Sequence, residues 1–364
     1  MKLSVKKDSF FKALQKVSNI IASRNTLPVL ANVLLEAKGG KLTLTTTDLE
    51  LRIITSLEAQ IEVEGVTTLP AKRLLGLVSK FKGDTVHMES NEKDHTQIVC
   101  GTANFMMLGL SPEDFPQAVD FESKRSIKLK QNDFVRILDR ISYAADDSRK
   151  VLQGILLSVK DNNLSSVATD GRRLALVEKV LEEVAEGSDG DVIITIKVAN
   201  EVKRMLEKEG DVLIEIGEKQ VLFRLNDTLV YSKLIEGIYP NYRQVIPHSF
   251  AKSIQVPASD FVDALEIVSI PLSDTNSPFV KITFSENKLL FEANSNIGEG
   301  KEYINIEYAD QEEISLSFNP QFLSDPFKHI GVDKVTIKIN DAFSPIALES
   351  GDGFLYVIMP MRNK

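Results

Sequence analysis

The chain has no tryptophan, one cysteine, four histidines and 7% aromatic residues in a length of 364. With Cys100 alone an intrachain disulfide framework is excluded, and a reducing compartment fits. His87, His95, His248 and His329 form no ligand-spaced pair, and neither Cys-x-x-Cys nor a carboxylate-rich metal loop occurs. Glycine-rich phosphate loops and Gly-x-Ser-x-Gly are missing too, which argues against nucleotide-dependent and serine-hydrolase chemistry. No apolar run approaches the roughly 20 residues of a membrane span. Lys6 and Lys7 have no apolar segment behind them, so no signal peptide is legible. The expectation is a cytoplasmic protein without membrane, metal or cofactor.

Basic residues are outnumbered by acidic ones, 43 to 52. A net charge of −9 means that the whole molecule is not a basic DNA binder, so any nucleic-acid surface must be a local patch of lysine and arginine. What is present is an ordinary globular composition, 43% apolar and 26% charged, in a chain too long for one core.

An internal triplication organises that length. Phe10, Leu14, Val17 and Ser18 recur in spacing as Phe134, Leu138, Ile141 and Ser142, and again as Phe261, Leu265, Val268 and Ser269. Steps of 0, 4, 7 and 8 place each set on one helical face. Asp8 or Ser9, Asp133, and Ser259 or Asp260 are the candidate N-caps. Each helix is followed by a strand pair: Val33–Ala37 with Leu42–Thr46, Gly154–Val159 with Leu164–Ala168, Val280–Phe284 with Lys288–Ala293. Gly39-Gly40, Asp161-Asn162-Asn163 and Glu286-Asn287 supply the turns. A second helix is expected at Ala71–Phe81, Ala199–Lys208 and Pro320–Ile330, and further hairpins close each unit. The expected class is α+β with antiparallel sheets, in three similar domains at 1–124, 125–250 and 251–364.

Thr169-Asp170-Gly171 is the one stretch that suggests a carboxylate site. Asp-Gly between Val167-Ala168 and Leu174-Ala175 reads rather as a favoured hairpin turn, and Thr47-Asp48 in the matching place of the first repeat strengthens a structural role. An enzyme with a dispersed site, acting on nucleic acid through Asp48 or Asp170, stays as an alternative.

Five stretches, in order, resemble the bacterial DNA polymerase III beta subunits, the beta sliding clamps. They are Thr26-Leu27-Pro28-Val29-Leu30, Thr46-Thr47-Asp48-Leu49-Glu50, Val167 to Ala175, Tyr239-Pro240-Asn241-Tyr242-Arg243, and Tyr356 to Arg362. The resemblance runs end to end. It implies a head-to-tail homodimer of three-domain subunits, a ring whose helices line the hole and whose antiparallel sheets form the outer wall.

The same resemblance implies a processivity factor, not an enzyme, that encircles duplex DNA without reading its sequence. DNA contact then falls to Lys12, Arg24, Lys72, Arg73, Arg136, Arg140, Arg149, Lys150, Lys197 and Arg204. The helix from Ser259 offers Asp263 and Glu266 instead, so the lumen should be more positive along the first two domains. A hydrophobic pocket for short linear motifs of the replicative polymerase, the clamp loader and repair proteins is implied at Leu152, Thr169, Gly171, Arg172, Arg173 and Leu174. Pro240, Val245, Phe343, Val357, Met359, Pro360, Met361 and Arg362 complete it. Arg172 and Gln244 depart from the family's frequent histidine and arginine, and Lys150 with Val151 replaces its aromatic residues. Phe105 and Met107 are the expected subunit contacts on one side, Ile270 and Leu272 on the other. A peptide-binding adaptor of the same fold, not threaded by DNA, is the further alternative.

Overall fold

The structure, a computed structural model, describes all residues except 22–26, 147, 183–186, 274, 309–311 and 362–364. Six α-helices occur among the described residues: α1 (Lys7–Ser18), α2 (Ala71–Lys80), α3 (Gln131–Ile141), α4 (Ile196–Met205), α5 (Ala258–Ser269) and α6 (Pro320–Ile330). The spaced apolar sets are buried as their period requires. Phe10, Leu14, Val17, Phe134, Leu138, Ile141, Phe261, Leu265 and Val268 are all essentially inaccessible. Phe261 stacks on Phe327 of α6 at 4.0 Å between centroids, and Phe134 lies against Phe223 of the sheet.

The expected N-caps are not caps. Each repeat opens with a strand that runs straight into its helix: Lys2–Lys6 into α1, Arg125–Lys130 into α3, Lys252–Pro257 into α5. The first helical N–H is therefore satisfied by continuation of the ladder. Lys7 donates to Asp84 O at 2.8 Å, Gln131 to Gly210 O at 2.9 Å and Ala258 to Asp333 O at 2.8 Å. Asp8, Asp133 and Asp260 lie in the first turn, where their charge still favours the helix N-terminus. α4 also begins earlier than its sequence pattern suggests. It ends at Met205, beyond which Glu207 N–H donates to the buried Gln131 side chain at 2.7 Å.

Four sheets carry the helices, and every strand pairing described is antiparallel. One compact unit comprises Met1–Phe134, Glu182–Ser188 and Lys197–Leu234; the other comprises Val135–Leu181, Asp189–Ile196 and Ile235–Lys364. Each unit holds an eight-stranded sheet made of four strands from one repeat and four from the next. In the first unit the halves join where Leu51–Glu58 pairs with Thr228–Lys233. In the second they join where Arg173–Val180 pairs with Phe354–Ile358. Backbone hydrogen bonds thus make each sheet continuous across consecutive repeats. The first unit also has a five-stranded sheet ending at Ala103–Leu108, and the second a four-stranded sheet ending at Gly298–Asn305.

Candidate functional site

The Thr-Asp turn is the local device from which the site is built. In the second repeat Thr169 Oγ1 donates to Arg173 O at 2.6 Å and accepts from Gly171 N–H at 3.0 Å. Asp170 Oδ1 accepts from the N–H of Arg172 and of Arg173, at 2.8 and 3.0 Å. Thr47 and Asp48 repeat this pattern bond for bond with Leu49, Glu50 and Leu51, at 2.8 to 3.1 Å. The third turn position has positive φ, +83° at Gly171 and +76° at Leu49. At Gly171 a Cβ would also stand 3.1 Å from the Arg149 guanidinium, so glycine suits both the angle and the space. Both aspartates hold the turn through backbone amides, as Asx turns do.

This turn places the strand Arg173–Val180 against Phe354–Ile358, with Leu174 opposite Val357. Leu152, Leu174, Val357 and Tyr239 belong to one buried cluster, against which Val151, Tyr242 and Ile246 pack. Burial raises the pKa of the Tyr239 hydroxyl, so it stays a neutral donor. Met359 N–H donates to Arg172 O at 3.0 Å, and Met361 N–H to Ser317 O at 2.7 Å, which fixes the C-terminal segment beside the turn. Above the buried floor Gly171, Arg172, Pro240, Val245, Met359 and Met361 are exposed and Pro360 is half-buried. Phe343 is 86% exposed in the Asp341 turn, whose carboxylate accepts Phe343 N–H at 2.7 Å. Tyr242 and Ile246 were not among the sequence-derived pocket residues. Tyr242 lay inside the quoted Tyr-Pro-Asn-Tyr-Arg stretch, so a signal for it existed.

Arg173 takes a different part from its neighbours. Its side chain is buried, with Nε on Asp170 at 3.1 Å, Nη1 on Asp325 at 2.5 Å and Nη2 on Tyr143 O at 2.5 Å. The guanidinium also lies 4.1 Å from the Phe322 ring centroid. It ties the turn to α6 and to the segment after α3.

The cationic residues fall into two groups. Lys12, Lys72, Arg73, Arg136 and Lys150 are exposed. Arg140, Arg204, Lys197 and Arg149 make contacts within the fold, although Lys197 and Arg149 are exposed as well. Arg140 is 9% exposed, pairs with Asp352 at 2.6 Å and donates to Ile330 O, the end of α6, at 3.0 Å. Arg204 donates to Lys16 O at 3.1 Å and Glu201 at 2.8 Å, capping the end of α1. Lys197 pairs with Asp48, and Arg149 with Asp146. The periodicity that put most of these cations on helices could not distinguish a helix cap from an exposed cation. Arg24 and Arg362 lie outside the described residues.

The expected subunit contacts divide in the same way. On the edge strand Phe105, Met106 and Leu108 are exposed, the last two at 54% and 61%, whereas Met107 is 6% exposed and turned into its own core. Ile270 is 72% exposed and Leu272 is buried. Strand alternation sets Met107 against Met106 and Leu108, since successive side chains face opposite ways, whereas Phe105 is on the face of Met107 and is nonetheless 47% exposed.

Family models of the DNA polymerase III beta subunit match throughout: the N-terminal domain at residues 1–120, the central domain at 128–241 and the C-terminal domain at 243–362. The beta sliding clamp of Haemophilus influenzae is 31% identical over 369 residues, covering 100% of both chains. The sliding clamp of Bartonella birtlesii, solved bound to griselimycin, superimposes with TM-score 0.94 at 31% identity and full coverage of both chains. That of Bacillus subtilis gives TM-score 0.95 at 25% identity, again over 100% of each chain. With its threefold repeat, its antiparallel half-sheets and these matches along its whole length, the chain belongs to the family of DNA polymerase III beta subunits, the beta sliding clamps.

Proposed function

We propose that this chain is a DNA sliding clamp: two copies close head to tail around duplex DNA and tether the replicative polymerase and other partners. The observation that carries the reading is the rule by which repeats join. The strand Leu51–Glu58 of the first repeat meets Thr228–Lys233 of the second, and Arg173–Val180 of the second meets Phe354–Ile358 of the third. Applied once more, the rule pairs Gly298–Asn305 of the third repeat with Ala103–Leu108 of another copy. Those are the outermost strands of the two sheets that are not shared between repeats. Such a joint is heterologous, and two of them close a C2 ring. Exposed Phe105, Met106 and Leu108 give it an apolar component, and Ile270 adds to the facing side. The domain joints then fall near residues 124 and 250, just before the strands that open the second and third repeats.

The exposed Lys12, Lys72, Arg73, Arg136 and Lys150 are the residues we assign to phosphate contact, which is sequence-independent and permits sliding. The pocket floored by Leu152, Leu174 and Val357 and rimmed by Pro240, Val245, Met359 and Met361 takes the partners' linear motifs, methionine adapting to several of them. Asp48 and Asp170 are engaged by turn amides, which favours a scaffold over a catalyst; the cytoplasm follows from the role in DNA replication, not from these contacts. The test is retention on DNA after loading. Retention on a closed circle that is lost when the circle is cut is the expected result. Equal retention on both forms would overturn threading.

A further inference from the structure

The sulfur of this chain resides in one cysteine and seven methionines. Cys100, Met88, Met107 and Met205 are buried, and Met1 is half-buried. The three exposed methionines are Met106, Met359 and Met361. Met106 lies on the edge strand Ala103–Leu108, which the joint proposed above covers. Met359 and Met361, 45% and 39% exposed, stand on the rim of the motif pocket. In the ring, accessible sulfur is therefore gathered at that pocket.

The main chain that carries this pair is pinned at both residues. Met359 N–H donates to Arg172 O at 3.0 Å and Met361 N–H to Ser317 O at 2.7 Å, with Pro360 between them. Both side chains lie outside the buried cluster below them, so a chemical change at either sulfur stays at the rim and spares the fold. That surface is apolar: Leu152, Leu174 and Val357 in the floor, Pro240 and Val245 beside it, none with a side-chain hydrogen to give a new oxygen. Arg172 is exposed on the rim and can donate to one, but such a bond would draw a cation across the apolar rim.

We propose that Met359 and Met361 are oxidation sites through which peroxide releases partners from the pocket. A thioether lone pair attacks one peroxide oxygen and the O–O bond breaks. The second oxygen leaves as hydroxide, which takes the proton from the transferred oxygen and becomes water. Sulfur is oxidised by two electrons to the sulfoxide, and the peroxide is reduced. A motif must then bury a polar S=O group where an adaptable apolar side chain stood. A thiol-dependent sulfoxide reductase reverses the step: the sulfoxide oxygen leaves as water while two thiols become a disulfide. The inference rests on reading the pocket as the motif site, and a bound motif should in turn shield both sulfurs.

The full-length chain is treated with hydrogen peroxide, and peptide mass mapping follows each methionine. Anisotropy of a fluorescent pentapeptide, Gln-Leu-Ser-Leu-Phe, whose apolar side chains suit the floor, reads the pocket. Oxygen should appear at Met359 and Met361 before Met88, Met107 and Met205, and binding should weaken by about tenfold or more. Unfolding by urea should be unchanged, and saturating unlabelled peptide should slow addition at both residues. Methionine sulfoxide reductase with dithiothreitol should restore binding as it clears the same two residues, a readout that needs no variant. The variant Met359→Leu with Met361→Leu is compared only with itself, and treatment should leave its affinity where it was. An equal loss in that variant, an oxidised pair that binds as before, or oxidation that spares the pair overturns the proposal while leaving the pocket standing. Absence of binding to the untreated chain overturns the pocket reading and the proposal with it.

Discussion

Arg173 ends the Asp-Gly-Arg-Arg stretch, between exposed Arg172 and buried Leu174. Its own fork reaches Asp170, Asp325 and the Tyr143 carbonyl. Removing one partner of a buried ionic network costs about 3–5 kcal/mol, because the remaining charges stay desolvated. Arg173→Leu should therefore lower the free energy of unfolding by several kcal/mol, measured by urea denaturation, and Arg173→Lys should recover only part of it. A change under about 1 kcal/mol would show that the network is not what fixes the turn. At this scale sequence identifies the residue but not its surroundings, since Arg172 sits in the exposed turn and Arg173 at the buried start of the strand, a difference that residue type does not show.

Between elements, two ion pairs hold matching positions. Lys16 on α1 pairs with Asp227 at 2.7 Å, and Arg140 on α3 with Asp352 at 2.6 Å. The helical spacing that aligns Phe10, Phe134 and Phe261 puts Ile267 of α5 at the corresponding place. Ile267 is half exposed. A joint between copies would then lack this ion pair and depend on its strand edge and apolar contacts. Met106→Lys on the edge strand should convert a dimer into a folded monomer, because a lysine on an open edge opposes strand addition. Sedimentation velocity with circular dichroism checks both halves of that expectation. A dimer unchanged in mass would place the joint elsewhere. The antiparallel hairpins and the three buried helix faces were legible from period alone. The cap at the end of α1 was not, because Arg204 and Lys16 are far apart in sequence and meet only through packing.

For the molecule as a whole the decisive quantity is the distribution of charge. At a net −9 only a localised patch can attract phosphate. Reversing Lys12, Lys72 and Arg73 to glutamate should reduce loading on circular DNA and flatten its dependence on salt, since each phosphate neutralised adds roughly 0.9 to the logarithmic slope. The fold should be unaffected, because all three are exposed. Unchanged loading and slope would favour an adaptor that DNA does not thread. Arg140, Arg204 and Lys197 are unsuited to this test, because substitution there also breaks caps and pairs inside the fold.

The sequence by itself determined the threefold repeat, the α+β class, the Thr-Asp turns and the family. These are written in short-range periods and in motifs whose backbone geometry is local. Only the tertiary structure decided which cations are engaged as helix caps, that Arg173 ties its turn to α6, and that Met107 turns inward beside exposed Met106 and Leu108. Each depends on groups distant in the chain meeting in space, where burial and partners, not residue type, set what a side chain does.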